Sequence, residues 1–256
     1  MVKLREYFLE LLQDNDEDGG VSRRPTINLN KIAGLHKGSV WRRTISQFER
    51  EIHPIMEKLY DDNFDQRIKI SLKKYLVIAL VAMVEQYFIN EARRVVDEYD
   101  MDISTILKGR ISIPISDFDK MKKEGILTKG NIVASSFNFG NPHEIDNVFT
   151  HLLNFNFKFF EVIQKVDRSS RARYVFRGRP ININYKKFME VFRLRHLIVH
   201  EMKDIQLSNS QLVLLWDNTM NILDAASMIV MPDNRKHVEQ VVEEQAVKES
   251  KLEKIH

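Results

Sequence analysis

The sequence contains no cysteine and few glycines or prolines. Without cysteine, none of the 256 residues can form a disulfide or serve as a thiolate ligand or nucleophile. This composition fits a reducing compartment, so we expect a cytoplasmic protein. Nine glycines and six prolines are too few for a many-turned β architecture, and with abundant Leu, Ile, Val, Glu and Lys they favour helices. The composition therefore predicts an all-α fold.

Long apolar runs and a strong net charge are missing as well. The most apolar run, residues 75–84, has about half the length that a membrane span needs. Residues 1–6 lack the apolar region typical of a signal peptide, and we expect no association with a membrane. The formal net charge is only +3, so affinity for nucleic acid would have to come from local clusters of basic residues.

Apolar periodicity divides the chain into three parts. Residues 1–65 are predicted to form an added N-terminal segment of helical and irregular chain, residues 66–230 a helical domain, and residues 231–256 a charged helix or tail. Within the helical domain, apolar residues recur at three- and four-residue spacing up to Tyr99. They surround the chain on nearly all sides between residues 75 and 84, which predicts a central, buried helix.

Turn and capping signals place the other helices. Asn141-Pro142 is predicted to open a helix that continues through Phe157 or beyond. Ser208 is predicted to cap a helix over 211–230. Residues 103–140 are predicted to be a short helix followed by loops, because three glycines interrupt them. These glycines are Gly125, Gly130 and Gly140.

The most informative stretch is Phe192-Arg193-Leu194-Arg195-His196-Leu197-Ile198-Val199-His200-Glu201, which places basic residues inside an apolar helical run. Four residues separate Arg195 from His200, and the polar His196 directly follows the arginine. This pattern resembles the R-x(4–6)-H signature of HEPN domains, an all-helical family rich in metal-independent ribonucleases. The order of segments is similar to the RiboL-PSP-type branch: an apolar helix with Glu85, an Asn-Pro turn, a Phe-rich helix, the Arg/His helix and a final packing helix. The resemblance covers about 66–230.

The resemblance implies a HEPN-like helical bundle that cleaves RNA by internal transesterification, with no metal or other cofactor. His200 would act as general base or acid, since imidazole titrates near neutrality. Arg195 would hold the scissile phosphate through its planar guanidinium, and His196 would orient His200 or share proton transfer. Such enzymes commonly serve in toxin–antitoxin systems or antiviral defence, so an antitoxin or other regulatory protein is an implied partner. Some members carry a modified tyrosine two residues after the histidine, where this chain has Met202.

A helical wheel predicts where the side chains of Arg195 and His200 point. Arg195 falls in the middle of an apolar face, where a charge is costly unless it is paired or faces a cleft. His200 points about 140° away from it on an undistorted helix. One chain is therefore not expected to bring the two side chains together, whereas a symmetric homodimer repeats each group across its axis. The apolar face consists of Phe188, Val191, Phe192, Ile198 and Val199.

Glu85 is the fourth candidate catalytic residue. Its wheel neighbours are apolar, so the carboxylate would seek a cation, and Arg195 is the natural partner. The alternative is a carboxylate that reaches solvent or pairs with Arg93 or Lys74. The sequence does not separate these two interpretations.

A basic segment between the Phe-rich and Arg/His helices is the candidate RNA-binding region. It contains no acidic residue, and arginines contact phosphates while aromatic rings stack on unpaired bases. A solvated basic loop is the equally common alternative. Arg193 on the Arg/His helix is added to this set. The candidates are Arg168, Arg171, Arg173, Tyr174, Arg177, Arg179 and Arg193.

Two other motifs fail, and two rival functions stay open. Residues 14–21 copy the first half of a calcium-binding loop, but Pro25 stands where the closing glutamate belongs. His196 and His200 have the spacing of zinc ligands, but Leu197 replaces the glutamate of a zincin. We therefore expect no metal site. The main rival to an endoribonuclease is a non-catalytic HEPN-like module that binds RNA or a protein, and the other is an unrelated helical scaffold with a structural Arg/His pair.

Overall fold

A computed structural model describes residues 50–52, 54–61, 63–99, 103–107, 123, 128–169 and 181–253. These residues form helices and connecting turns, with no strand among them, so the predicted all-α class is confirmed for the described chain. Residues 1–49 of the predicted N-terminal segment lie outside the described residues. The helices are α1 (Gln66–Glu98), α2 (Ser104–Leu107), α3 (Lys129–Ser136), α4 (Pro142–Leu152), α5 (Phe159–Arg168), α6 (Tyr185–Val199), α7 (Asn209–Ile229) and α8 (Pro232–Glu253).

The long helix α1 forms the centre of the bundle, as its apolar pattern predicts. Asp65 caps it by accepting a hydrogen bond from Arg67 N at 2.7 Å, and Tyr99 follows its last residue. Buried residues occur on most sides of it from Leu76 to Val96. Helices α3, α4, α6 and α7 all pack against α1. Among the described residues, no helix is both long enough and apolar enough to span a membrane.

Aromatic rings from four helices meet in the core. The ring of Phe88 on α1 contacts Phe149 of α4 edge-on at 5.2 Å and lies 6.2 Å from Phe160 of α5. Phe160 lies 5.3 Å from Phe188 of α6. Edge-to-face and tilted arrangements are those that aromatic quadrupoles favour. This cluster fixes α6, the Arg/His helix, against the central helix.

Residues 129–136 form helix α3, where the sequence predicted loops. Thr128 caps the helix by accepting from Asn131 N at 3.1 Å. Asp97 of α1 adds a second cap, because its carboxylate accepts from Gly130 N at 2.8 Å and from Thr128 Oγ1 at 2.9 Å. An ideal Cβ at Gly130 would lie only 2.4 Å from the carbonyl oxygen of Arg93. The glycine therefore marks a close helix crossing, and its interpretation as a loop residue was wrong.

The helix that opens at Asn141-Pro142 ends at Leu152, earlier than predicted. Asn154 takes φ 52°, in the left-handed region that asparagine tolerates better than most residues. The N–H of Asn154 donates to His151 O at 3.2 Å, and that of Phe155 to Thr150 O at 3.1 Å. This pair of bonds is the Schellman motif that terminates helices.

A second helix, α5, follows and is capped by side chains of α4. The N–H of Phe159 donates to Thr150 Oγ1, and that of Phe160 to Asp146 Oδ1, both at 2.9 Å. Lys158, at the N-cap position, makes no side-chain capping bond of its own. The break between α4 and α5 is thus stabilised by contacts between the two helices, which periodicity alone does not reveal.

The segments outside residues 66–230 share the core of the helical domain. α8 packs against α5 and α7, and three of its valines, Val238, Val241 and Val242, are buried. Lys165 of α5 donates to Glu249 of α8 at 2.5 Å. On the N-terminal side, Ile52 and Leu59 are buried in the same cluster. Of the predicted charged helix or tail at 231–256, residues Pro232–Glu253 form helix α8, which is a packed part of the bundle.

Candidate functional site

The start of α6 is fixed by neighbouring helices. The side chain of Asn184 caps the helix by accepting a hydrogen bond from Lys187 N at 3.2 Å. The N–H of Asn184 donates to Oδ1 of Asn218 on α7 at 2.6 Å. Asp167, near the end of α5, accepts a hydrogen bond from the N–H of Ile183. The chain therefore enters the Arg/His helix in a defined position.

The buried face of α6 differs from the predicted one. The sequence placed Arg195 in the middle of an apolar face with Ile198 and Val199, whereas all three are only half-buried. Leu194 is buried in their place. Because α6 packs with Leu194 towards the core, the guanidinium of Arg195 lies at the edge of the core. It reaches solvent there and avoids the full cost of a buried charge. The buried residues of α6 are Phe188, Val191, Phe192 and Leu194.

Arg195 and His200 meet within one chain. Nη1 of Arg195 lies 3.4 Å from Nε2 of His200. The expectation that a single chain keeps them apart is wrong, because α6 ends at Val199 and the long arginine side chain spans the angle to the C-cap residue His200. Arginine carries only donors, so Nε2 of His200 is the acceptor in this contact. A hydrogen bond between these two atoms uses the imidazole tautomer that carries its hydrogen on Nδ1.

His196 lies beside the pair. Its ring centroid is 4.9 Å from that of His200, and the two planes are inclined by 40°. Both imidazoles are exposed, as a site for a large substrate requires. Three groups capable of binding phosphate or transferring protons therefore lie next to one another at the C-terminal end of α6. These groups are the side chains of Arg195, His196 and His200.

Glu201 adds a carboxylate to this cluster. Its Oε1 lies 3.8 Å from Nε2 of His196, and its Oε2 accepts a hydrogen bond from the Lys203 ammonium. The hydrogen bond and charge of Lys203, with a smaller contribution from His196, hold the pKa of Glu201 below its usual range. Sequence reasoning assigned Glu201 no role, because helical periodicity carries no information beyond the end of the helix.

The segment after α6, residues 201–207, is attached to α1 and is called the strap below. Lys203 N donates to Leu197 O at 3.1 Å, which folds the strap back on the helix end. Lys74 of α1 lies 2.5 Å from Asp204, and Lys73 donates to the carbonyl of Leu207 at 2.6 Å. The hydrogen bond and charge of Lys74 hold the pKa of Asp204 below its usual range. Two lysines of the central helix thus fix the loop that carries Glu201.

Glu85 is half-buried on α1 and lies against the turn between α3 and α4. An ideal Cβ at Gly140 would be 3.4 Å from Oε2 of Glu85. In the same turn Gly140 N donates to Asn138 Oδ1 at 3.0 Å. The helix of Arg195 also packs on α1. The pairing of Glu85 with Arg195 stays a prediction.

Arg193 is exposed and is held by a neighbouring carboxylate. Its guanidinium makes two hydrogen bonds to Glu190, one turn earlier, at 2.9 and 2.5 Å. These bonds hold the pKa of Glu190 below its usual range. Part of the charge of Arg193 is therefore neutralised. Its contact with RNA stays a prediction.

Arg168 is the only member of the predicted basic RNA-binding segment within the part of the chain that the structure describes. It is the last residue of α5, and its exposed side chain lies 3.7 Å from Glu249. The chain re-enters the described region at Ile181, near the start of α6. From Tyr185 to Arg195 the helix rises about 15 Å, so Ile181 lies near the end of α6 that is opposite the histidines. The residues outside the described ranges are Arg171, Arg173, Tyr174, Arg177 and Arg179.

The residues that the structure describes contain no group of three or more His, Asp or Glu side chains placed to hold a metal ion. No protein-family model, no curated protein and no solved structure matches this chain at a significant level.

Proposed function

We propose that this protein is a HEPN-type endoribonuclease that cleaves RNA by transesterification without a metal ion. The contact between Arg195 and His200, with His196 beside it on an exposed surface, is the observation that carries the proposal. A planar cation that binds phosphate and two imidazoles that transfer protons are sufficient for this chemistry.

In the proposed reaction, the ribose 2′-oxygen attacks the adjacent phosphorus atom. The proton of the 2′-hydroxyl passes to an imidazole, and the bond between phosphorus and the 5′-oxygen breaks. The leaving oxygen takes a proton from the protein, so the products carry a 2′,3′-cyclic phosphate and a 5′-hydroxyl. Arg195 binds the phosphate and stabilises the charge that grows on its oxygens. DNA lacks the 2′-hydroxyl and would not be cleaved.

A homodimer is part of the proposal. Two copies of α6 across a two-fold axis would place two Arg195–His200 pairs near one RNA strand and form a composite site. Mixing Arg195→Ala chains with His200→Ala chains tests this arrangement directly. Mixed dimers regain activity if arginine and histidine act across the interface, and they stay inactive if each chain uses its own pair. A role as a toxin or defence effector, with an antitoxin as partner, is likewise proposed from the resemblance alone.

The test of the function is incubation with structured and unstructured RNA in EDTA. Arg195→Ala and His200→Ala should each lower the cleavage rate by about 100-fold or more, the usual effect of removing an electrostatic or acid–base group. Matched controls are Arg235→Ala and His237→Ala on α8, which should retain the full rate. Circular dichroism confirms that each variant is folded. Cleavage that survives both site substitutions, or that needs a divalent metal, rejects the proposal, whereas RNA binding without cleavage favours the non-catalytic module.

A further inference from the structure

The two histidines of the site have neighbours of opposite kind. His200 Nε2 faces the guanidinium of Arg195, which only donates hydrogen bonds. His196 Nε2 faces the carboxylate of Glu201, which only accepts them. The guanidinium of Arg195 can donate to His200 only if Nε2 of His200 carries a lone pair. The carboxylate of Glu201, in contrast, favours a hydrogen on Nε2 of His196. The local contacts therefore distinguish a proton acceptor from a proton donor.

We propose that His200 is the general base and His196 the general acid, with Glu201 as the positioning residue that orients His196. This assignment rests on the proposed ribonuclease function. His200 Nε2 takes the proton of the 2′-hydroxyl as the new bond from oxygen to phosphorus forms. His196, as the imidazolium, gives its Nδ1 proton to the 5′-oxygen as the bond between that oxygen and phosphorus breaks, while its Nε2–H stays directed at Glu201. One proton enters the protein and one leaves it, and hydrolysis of the cyclic product or exchange with water restores both histidines.

The strap gives Glu201 a fixed location. Lys203 holds its second carboxylate oxygen, and the backbone bond from Lys203 to Leu197 closes the loop onto the helix. Ile205 is buried, and the pair of Lys74 and Asp204 fastens the same loop to α1. The 3.8 Å between Glu201 and His196 is longer than a hydrogen bond, but catalytic contacts commonly tighten when substrate binds. Both side chains are exposed at the surface, where they can rotate towards each other.

Arg195 serves two states of this arrangement. Without substrate its guanidinium lies against the lone pair of His200. When a phosphate enters, its anionic oxygens compete with His200 for the guanidinium N–H groups of Arg195. The oxygens win, since charge-assisted bonds to phosphate are stronger than a 3.4 Å contact to an imidazole nitrogen. The guanidinium then turns to the phosphate, and Nε2 of His200 becomes available to the 2′-hydroxyl.

The assignment is tested with two forms of one RNA, after its cleavage site has been mapped. The first is unmodified, and the second carries sulfur in place of the bridging 5′-oxygen at that site. Sulfur leaves as a thiolate and needs no proton, so loss of the general acid should matter only for the unmodified RNA. His196→Ala should cleave the unmodified RNA about 100-fold more slowly or worse, and the sulfur-containing RNA within about tenfold of the unsubstituted protein. His200→Ala should lose activity on both.

Glu201→Gln tests the positioning role. It should lower kcat on the unmodified RNA by up to about fivefold, the limit for an exposed ion pair, and leave cleavage of the sulfur-containing RNA unchanged. Glu201→Asp should recover part of the loss. Glu239→Gln on α8, where an exposed glutamate pairs with Arg235, is the matched control and should cleave both RNAs normally.

The outcomes separate the assignment from the function. If His196→Ala lowers the cleavage rate equally on both RNAs, the assignment is wrong while the ribonuclease function stands. The same holds if Glu201→Gln cleaves the unmodified RNA at the full rate. If the unsubstituted protein cleaves neither RNA, the function and the assignment fail together.

Discussion

The side chain of Asn218 on α7 holds the backbone of Asn184, the residue that caps the Arg/His helix, through a hydrogen bond of 2.6 Å. Asn218 is buried, whereas the neighbouring Asn221 makes a more exposed bond to the carbonyl of Asn182 at 3.1 Å. These two asparagines connect α7 to the short extended segment that leads into α6. The position of the candidate site therefore depends on a polar contact far from its histidines.

Asn218→Ala should lower the free energy of unfolding by about 1–2 kcal/mol, because it removes the acceptor of a partly buried backbone N–H. Asn221→Ala should cost about 0.5 kcal/mol, since water can replace an exposed bond. Urea unfolding followed by circular dichroism measures both values. Equal losses of stability in the two variants would mean that the bond between Asn184 N and Asn218 Oδ1 does not fix α6.

Gly130 and Gly140 form a second matched pair. Gly130→Ala should destabilise by about 1–3 kcal/mol, because its Cβ would lie 2.4 Å from the carbonyl oxygen of Arg93 and force α3 away from α1. At Gly140 the nearest atom is Asn138 Oδ1 at 3.1 Å, a side-chain atom that can move. Gly140→Ala should therefore lower the free energy of unfolding less than Gly130→Ala does. Thermal unfolding of the two variants provides the comparison, and an unaffected Gly130→Ala would show that the crossing is looser than described.

Asn154 determines where α4 ends. Asn154→Gly should leave stability nearly unchanged, because glycine adopts positive φ without steric cost. Asn154→Val should lower the free energy of unfolding by about 1–2 kcal/mol, since a β-branched residue is poorly tolerated at φ 52°. Chemical denaturation of both variants is the measurement. A valine variant as stable as the glycine variant would exclude the left-handed turn.

The ion pair of Lys165 and Glu249 should make the free energy of unfolding depend on pH. The hydrogen bond and charge of Lys165 hold the pKa of Glu249 below its ordinary value of 4.5. The native state therefore binds fewer protons at this carboxyl than the unfolded state does, and the stabilisation is complete above that value. It is lost as the pH falls through the folded pKa.

Glu249→Gln removes this contribution. At pH 7 it should lower the free energy of unfolding by about 1–2 kcal/mol, because a nearly buried lysine loses its shortest charged contact. At pH 3 the variant and the unsubstituted protein should differ less. Urea titrations from pH 3 to 8 give the profile, with Glu239→Gln as an exposed control. A constant difference across that range would show that the pair is not coupled to protonation.

The elements that are defined by their own sequence were predictable. The helix from Gln66 onwards has continuous apolar periodicity, and Ser208 caps α7 in the structure through a reciprocal pair of bonds with Gln211. The α4–α5 break and helix α3 were not predicted, because side chains of other helices, Asp97 and Asp146, complete the caps of α3 and α5. Capping across helices leaves no local pattern.

The candidate site was predictable in its residues but not in its geometry. The motif identified Arg195, His196 and His200, yet an ideal helix placed the first and last too far apart. The end of α6 and the reach of the arginine side chain decide that distance, and neither follows from spacing. Glu201 lies in the strap, whose position depends on Lys73 and Lys74 of a distant helix.

The most direct test of the proposed chemistry is the structure of the RNA ends that the purified protein produces in EDTA. We expect a 2′,3′-cyclic phosphate on one fragment and a 5′-hydroxyl on the other, and a single 2′-deoxy substitution at the cleavage site should abolish cutting there. Fragments with 5′-phosphate and 3′-hydroxyl ends, or cleavage that continues at the 2′-deoxy position, would contradict the proposed role of Arg195, His196 and His200.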